Sequence, residues 1–165
     1  MLFERILRAF HEQKLQYVVI GGVAVNLHGY ARATGDLDVV VSFDDAEIQK
    51  FIGVVKSLNF VPRVPVKIED FADAKKRDEW ICHKNMKVFS VYNPKNPMEH
   101  IDVMVDHVVD FATLFKNRVV MHYGNIAVSV AGIADLITLK KHAGRGRDQT
   151  DIIALEAISR LKDEE

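Results

Sequence analysis

Four consecutive apolar residues, Tyr17-Val18-Val19-Ile20, are followed directly by two glycines, Gly21 and Gly22. Three of the four are β-branched, and a short apolar run that ends at glycine is typical of a buried strand. A strand of this kind requires other elements packed over the sheet that contains it. The chain is therefore expected to place Tyr17–Ile20 inside a sheet covered by helices.

Apolar periodicity and turn residues predict the other elements. Helices are expected near residues 3–10, 23–28, 44–58, 111–115, 131–142 and 149–162, and strands at 36–41, 87–92, 100–105, 118–123 and 126–130. Turns or links are expected at 93–97 and 144–147, while 69–79 fits either a loop or a short helix. The hairpin around Gly124-Asn125 argues against a purely parallel sheet. The predicted fold class is α/β (α+β), with a mixed sheet flanked by helices.

Length and charge restrict the classes of protein to be considered. The 165 residues suit one domain, with a core at about 15–130 and a C-terminal helical segment at about 131–162. The formal net charge of −1 argues mildly against nucleic acid as the main partner, since proteins that bind nucleic acid usually have a strongly basic face. No apolar run approaches the ~20 residues that span a bilayer, and no signal peptide is visible. We therefore expect a cytoplasmic protein without a membrane partner.

Asp36 and Asp38 lie two residues apart in a predicted strand, so their side chains face the same way. Carboxylate pairs of this kind suit a hard divalent cation. Asp102 interrupts a later apolar strand, where a carboxylate is costly unless it is paired or binds a metal. Three carboxylates converge if the two strands are neighbours. The alternative is that these acids are structural or merely solvated.

This pattern resembles the DNA-polymerase-β-like nucleotidyltransferase superfamily. The resemblance rests on Ile20-Gly21-Gly22, the run from Arg32 to Asp38, and Asp102. The last thirty residues match the superfamily more loosely. The residues that match there are Leu139-Lys140-Lys141 and Arg147-Asp148 with Asp151. The Gly-Gly form is most similar to small bacterial proteins: abortive-infection toxin-type nucleotidyltransferases and the lincosamide and aminoglycoside nucleotidyltransferases. The resemblance implies a single nucleotidyltransferase domain with C-terminal helices.

The resemblance also implies a set of site residues. Asp36, Asp38 and Asp102 would be catalytic and would hold Mg²⁺ or Mn²⁺. Asp102 would complete the metal shell or accept the proton of the attacking hydroxyl. Nucleotide-binding residues would be four in number: Gly21, Gly22, Arg32 and Lys140. For Arg32, a structural ion pair with a nearby aspartate is an equal alternative, and Lys140 also ends a helix, where cations are generally favoured.

Two functions from different classes remain open. The first is an enzyme that moves an NMP from an NTP, such as ATP, to a hydroxyl of a small molecule or a protein, in preference to RNA. The second is a non-catalytic or partner-dependent binding module, such as a toxin–antitoxin component. A homodimer or a protein partner could complete the acceptor site.

Trp80, Cys82 and the histidines are each assigned a structural role rather than a catalytic one. Trp80 is expected to anchor a loop, and Cys82 is expected to be a small buried residue. The histidines, His100 among them, lack the spacing of a zinc site.

Overall fold

The apolar run Tyr17–Ile20 forms β1, a completely buried strand within a seven-stranded mixed sheet. The structure is a computed structural model and describes residues 3–164. The other strands of the sheet are β2 (Leu37–Val41), β3 (Val61–Pro62), β4 (Val88–Asn93), β5 (Asn96–Met104), β6 (Val119–Tyr123) and β7 (Ile126–Val130). The helices are α1 (Glu4–Glu12), α2 (Gly21–Leu27), α3 (Asp45–Ser57), α4 (Ala74–Lys84), α5 (Phe111–Asn117), α6 (Ile133–Ala143) and α7 (Gly146–Asp163), with a 3₁₀ helix at Ile68–Ala72.

The order of strands across the sheet is β3-β4-β5-β2-β1-β7-β6. β1 runs antiparallel to β2 and parallel to β7, whereas β2 runs parallel to β5. The β4–β5 and β6–β7 pairs are antiparallel hairpins. Because β2 and β5 are neighbours, side chains from two distant parts of the sequence meet at the same place on the sheet.

Amphipathic helices cover the sheet. α1 buries Ile6, Leu7 and Phe10, and the Phe10 ring lies 4.7 Å from the Tyr17 ring of β1. α3 buries an apolar stripe that includes Phe51 and contacts both α1 and β2. At the other end of the chain, α6 packs on α2 and α7. These last contacts bring the C-terminal helices next to the glycine turn.

The mixed sheet and the late hairpin are confirmed, and several boundaries are corrected. The turn predicted at 93–97 is shorter, since Asn96 already begins β5. Gly146 begins α7, so Gly146 and Arg147 belong to a helix rather than to the predicted link at 144–147. Residues 69–79, for which the sequence allowed either a loop or a short helix, form most of the 3₁₀ helix and the first half of α4.

The structure tests the roles that the sequence predicted for Trp80 and Cys82, both of which lie in α4. Trp80 is 3% exposed and stacks on Phe89 with 5.2 Å between ring centroids, so it is an anchor as expected, although of helix α4 rather than of a loop. The expectation for Cys82 was wrong, because it lies exposed on α4. The buried side chains of α4 are Arg77 and Trp80, and Cys82, two residues after Trp80, lies on the other side of the helix. Within residues 3–164, no helix is both long and apolar enough to cross a membrane.

Candidate active site

The acid pair and the third acid lie side by side on the sheet. Asp38 of β2 is paired in register with Asp102 of β5, and Asp36 comes just before β2 begins. His100 lies two residues before Asp102 on β5, so both face the same side. The Nε2 atom of His100 is 2.9 Å from Oδ1 of Asp36. The sequence predicted that the three carboxylates converge if their strands are neighbours, and β2 and β5 are indeed paired.

Asp38 carries the clearest electrostatic signature of the three acids, which we call the acid cluster (Asp36, Asp38 and Asp102). Its pKa is raised from 3.8 to about 6, first by burial and then by the charges of Asp102 and Asp36. The attraction of Arg145 and Lys140 opposes this rise but does not cancel it. An arrangement of this kind disfavours three ionised carboxylates unless a cation joins them.

A hydroxyl group orients Asp102. Ser90 of β4 is paired with Asp102 across the β4–β5 hairpin. Its Oγ donates a hydrogen bond of 2.5 Å to Oδ1 of Asp102. One carboxylate oxygen of Asp102 is therefore fixed by the protein.

The two glycines start α2, and each is closely approached by a side chain. A Cβ at Gly21, whose φ is +67°, would lie 2.1 Å from Oδ2 of Asp38. A Cβ at Gly22 would lie 2.6 Å from Oγ1 of Thr34 and 2.7 Å from Nη2 of Arg32. Glycine is thus required for the acid cluster and Arg32 to reach the first turn of α2, where helical N–H groups have no partner within the helix.

Arg32 is held by contacts from two directions. The side-chain amide of Asn26 in α2 makes two hydrogen bonds to the main chain of Arg32. Its Nδ2 donates to the Arg32 carbonyl at 2.9 Å, and its Oδ1 accepts from the Arg32 N–H at 3.0 Å. The Nε of Arg32 lies 2.9 Å from Oδ1 of Asp151 in α7, an ion-pair distance. The sequence left open an ion pair with a nearby aspartate, but the partner is 119 residues away in the chain (151 − 32).

Lys140 belongs to the same set of charges. It is only 4% exposed, and its Nζ lies 2.6 Å from Oδ2 of Asp151 and 3.4 Å from Oδ1 of Asp148. The Nε of Arg145 donates to Oδ2 of Asp148 at 3.0 Å. We call Arg32, Lys140, Arg145, Asp148 and Asp151 the ion-pair network. A direct contact of Lys140 with a nucleotide stays a prediction, since its ammonium group already has two partners.

Two cavities meet at Asp38. A polar cavity of about 480 Å³ is lined by the acid cluster together with Gly22, Arg32, Thr34 and Arg147, among others. An apolar cavity of about 310 Å³ is lined by Gly21 and Asp38 and is walled mainly by side chains of α6, with Val88 of β4 and Met104 of β5. The polar cavity suits a charged phosphate chain, and the apolar one suits a flat or aliphatic group.

Sequence reasoning missed His100 and Ser90 as members of the site. The ligand atoms of Asp36, His100 and Asp102 all lie within 4.8 Å of one another. For His100 a signal existed, because it is two residues from Asp102 in a predicted strand. For Ser90 none existed, because its role depends on the register of the β4–β5 hairpin.

Known proteins provide an independent comparison. The family model described as nucleotidyltransferase of unknown function (DUF6036) matches residues 1–164. No sequence among the curated proteins matches the chain significantly.

Three solved structures share the fold at low identity. Lincosamide antibiotic adenylyltransferase LnuA, with lincomycin bound, is 16% identical over 95% of this chain and 96% of that chain, with a TM-score of 0.60. ANT(2″)-Ia in complex with adenylyl-2″-tobramycin is 13% identical over 99% and 94%, with a TM-score of 0.59. An antigenic nucleotidyltransferase-like protein from Paracoccidioides brasiliensis is 15% identical over 94% and 72%, with a TM-score of 0.57.

Proposed function

Because the chain belongs to the DUF6036 family of nucleotidyltransferases, we propose that it transfers a nucleoside monophosphate from a nucleoside triphosphate to a hydroxyl acceptor, with the help of a divalent metal ion. The observation that carries this proposal is the pairing of Asp38 with Asp102 on adjacent parallel strands, beside the Gly21-Gly22 turn. A charge-rich site of this form suits the handling of phosphates.

The residues of the acid cluster fit Mg²⁺ or Mn²⁺. Hard divalent ions take oxygen ligands, and all three members supply carboxylate oxygens. The raised pKa of Asp38, caused by burial and then by its acidic neighbours, indicates that a cation would relieve an unfavourable concentration of charge. When bound, the metal would neutralise negative charge on the phosphate oxygens as the reaction proceeds.

The polar cavity would hold the triphosphate. N–H groups in the first turn of α2, at Gly21 and Gly22, would bind phosphate oxygens, as helix N-termini commonly do. Arg32 also lines this cavity and would contact the same phosphates. Arg147, on the first turn of α7, adds a second positive charge.

Asp102 is proposed to act at the acceptor. As the acceptor oxygen bonds to the α-phosphorus, the bond from that phosphorus to pyrophosphate breaks, and the hydroxyl proton must leave. Either the carboxylate of Asp102 accepts this proton, or it would complete the metal shell while the proton passes to water. Ser90, through its bond to Oδ1, would keep the carboxylate in place.

A small molecule or a protein hydroxyl is preferred as acceptor. The apolar cavity of about 310 Å³ is within the size range of small-molecule sites. Two proteins of similar fold were solved with lincomycin and with adenylyl-2″-tobramycin, which are small molecules. A partner protein or a second copy of the chain would be an additional way to complete the acceptor site.

Nucleotide binding with and without metal tests the proposal. Thermal unfolding is followed with ATP, CTP, GTP and UTP, each with and without Mg²⁺, for the wild type and for Asp36→Asn/Asp38→Asn. We expect a Mg²⁺-dependent shift in the wild type only, since a ligand at a hundred times its Kd stabilises a protein by about 2.7 kcal/mol. The control is Asp78→Asn/Glu79→Gln on the exposed side of α4, which removes the same charge.

The control variant should shift as the wild type does. If Asp36→Asn/Asp38→Asn keeps its Mg²⁺-dependent shift, the site assignment is wrong. If no nucleotide stabilises the wild type, the enzyme reading fails and the non-catalytic binding module takes its place.

A further inference from the structure

His100 has the position of a fourth member of the metal site. On β5 it precedes Asp102 by two residues, and its Nε2 lies 2.9 Å from Oδ1 of Asp36. The side chain is 16% exposed, and its Nε2 contacts Asp36, which lines the polar cavity. The imidazole therefore lies beside Asp36, the most exposed member of the acid cluster, whose side chain is half exposed.

The imidazole ring is not tied to the main chain. Its Nδ1 is buried and has no hydrogen-bond partner among residues 3–164. The bond from Nε2 to Asp36 is thus the ring's hydrogen bond within the described part of the chain. A ring held by one bond, to a carboxylate that itself faces the cavity, can exchange that bond for one to an ion.

The distances suit a shared ion. Two ligands on opposite sides of a small divalent ion are about 4.2 Å apart, because each bond is about 2.1 Å long. Ligand atoms of Asp36, His100 and Asp102 already lie within 4.8 Å of one another. Side-chain movements of a few tenths of an ångström would bring all three onto one ion.

We propose that His100 is a metal ligand and that it gives the site a preference for a first-row transition-metal ion over Mg²⁺. This inference rests on the proposed function, because it concerns the same metal site. Mg²⁺ favours oxygen ligands, whereas imidazole nitrogen is a common ligand of transition metals. One histidine among three aspartates therefore changes which ion binds best while still allowing Mg²⁺.

Mn²⁺ is the probe because its electron spin reports directly on coordinated nitrogen. Pulsed electron paramagnetic resonance of the full chain with Mn²⁺ alone should show coupling to ¹⁴N in the wild type and lose it in His100→Gln. The control is His122→Gln on the exposed face of β6, which should keep the coupling. Displacement of Mn²⁺ by Mg²⁺ in the same samples gives the relative affinities.

We expect His100→Gln to weaken Mn²⁺ binding by about tenfold or more. Loss of a side chain that only hydrogen-bonds to a metal ligand already costs at least about tenfold, and His100 is proposed to be a ligand itself. Mg²⁺ affinity should change much less, so the preference falls. If Mn²⁺ binds the wild type without nitrogen coupling, or if both ions weaken equally, the inference about His100 is overturned while the nucleotidyltransferase proposal stands. If neither ion binds the wild type and no nucleotide stabilises it, the proposed function itself fails.

Discussion

The acid cluster and the ion-pair network are neighbours, since Arg32 and Arg145 of the network line the same polar cavity as the three acids. Both groups contain aspartates, yet the electrostatics of these aspartates are opposite. In the acid cluster, burial and neighbouring acids raise the pKa of Asp38 to about 6. In the network, burial alone would raise the pKa of Asp148, but hydrogen bonds from Arg145 outweigh it and lower that pKa. Asp151 likewise lies between Arg32 and Lys140.

The difference teaches that buried charge alone does not mark a functional site. The network is compensated within the protein, and it links the C-terminal helices to the loop that carries Arg32 and Thr34. The acid cluster is only partly compensated, by Arg145 and Lys140, and a bound cation would stabilise it further. Removing one carboxylate should therefore have opposite effects on stability in the two regions.

The largest expected effect is in the network. Asp151→Asn should lower the free energy of unfolding by about 3–5 kcal/mol, because it leaves the buried Lys140 and the partly buried Arg32 without their shared carboxylate. Chemical denaturation in EDTA measures the change. Asp163→Asn, exposed near the end of the same helix, is the matched control and should change stability little.

A milder variant is available if Asp151→Asn does not fold. Lys140→Met removes the ammonium group but leaves Asp151 its pair with Arg32. Should either variant lose less than about 1 kcal/mol, the value typical of an exposed pair, the network is not the compensated structure described above.

The second effect has the opposite sign. Asp38→Asn should stabilise the metal-free protein near neutral pH, because the ionised carboxylate is unfavourable in the fold. The difference between the ordinary pKa of 3.8 and about 6 corresponds to roughly 3 kcal/mol at most. Since the folded pKa is above the unfolded one, the penalty is absent below about pH 4, grows as the pH rises, and is complete above about pH 6 to 7.

Denaturation of the wild type and Asp38→Asn in EDTA, from pH 4 to pH 7.5, isolates this carboxyl group. The stability difference between the two proteins should increase with pH and then level off. A difference that stays constant over the whole range would contradict the raised pKa. Saturating Mn²⁺ should reduce the advantage of Asp38→Asn, because the ion then stabilises only the wild type strongly.

Local sequence patterns were sufficient for much of the fold and for the acid cluster. The strand before Gly21, the late hairpin and the acid pair are each encoded by neighbours in the sequence. The meeting of Asp38 with Asp102 was predicted only as a condition, since the order of strands in a sheet depends on packing rather than on local preference.

The remaining features depend on long-range contacts. The partner of Arg32 lies in α7, and the partners of Lys140 follow in the next helix, so neither was visible as a local pair. His100 was judged by the spacing of histidines alone, although its neighbours in space are aspartates. In residues 60–85, proline and charge obscured the periodicity that would have predicted α4.

The smallest expected effect concerns the place where the acid cluster meets α2. Gly21 and Gly124 both have left-handed backbone, with φ of +67° and +58°, but their surroundings differ. A Cβ at Gly124 would meet nothing within 4 Å, whereas one at Gly21 would meet the Asp38 carboxyl group. The two glycines therefore separate the cost of backbone strain from the cost of displacing Asp38.

Gly124→Ala should cost about 1–2 kcal/mol in unfolding free energy, from the left-handed conformation alone. Gly21→Ala should cost about 1 kcal/mol more, because Oδ2 and Cβ of Asp38 cannot both move away easily. It should also weaken Mn²⁺ binding, which Gly124→Ala should leave unchanged. Equal losses of stability and unchanged metal affinity in both variants would mean that the Asp38 carboxylate can move freely. The acid cluster would then be organised by the ion when it binds, whereas the buried ion-pair network would still be preformed.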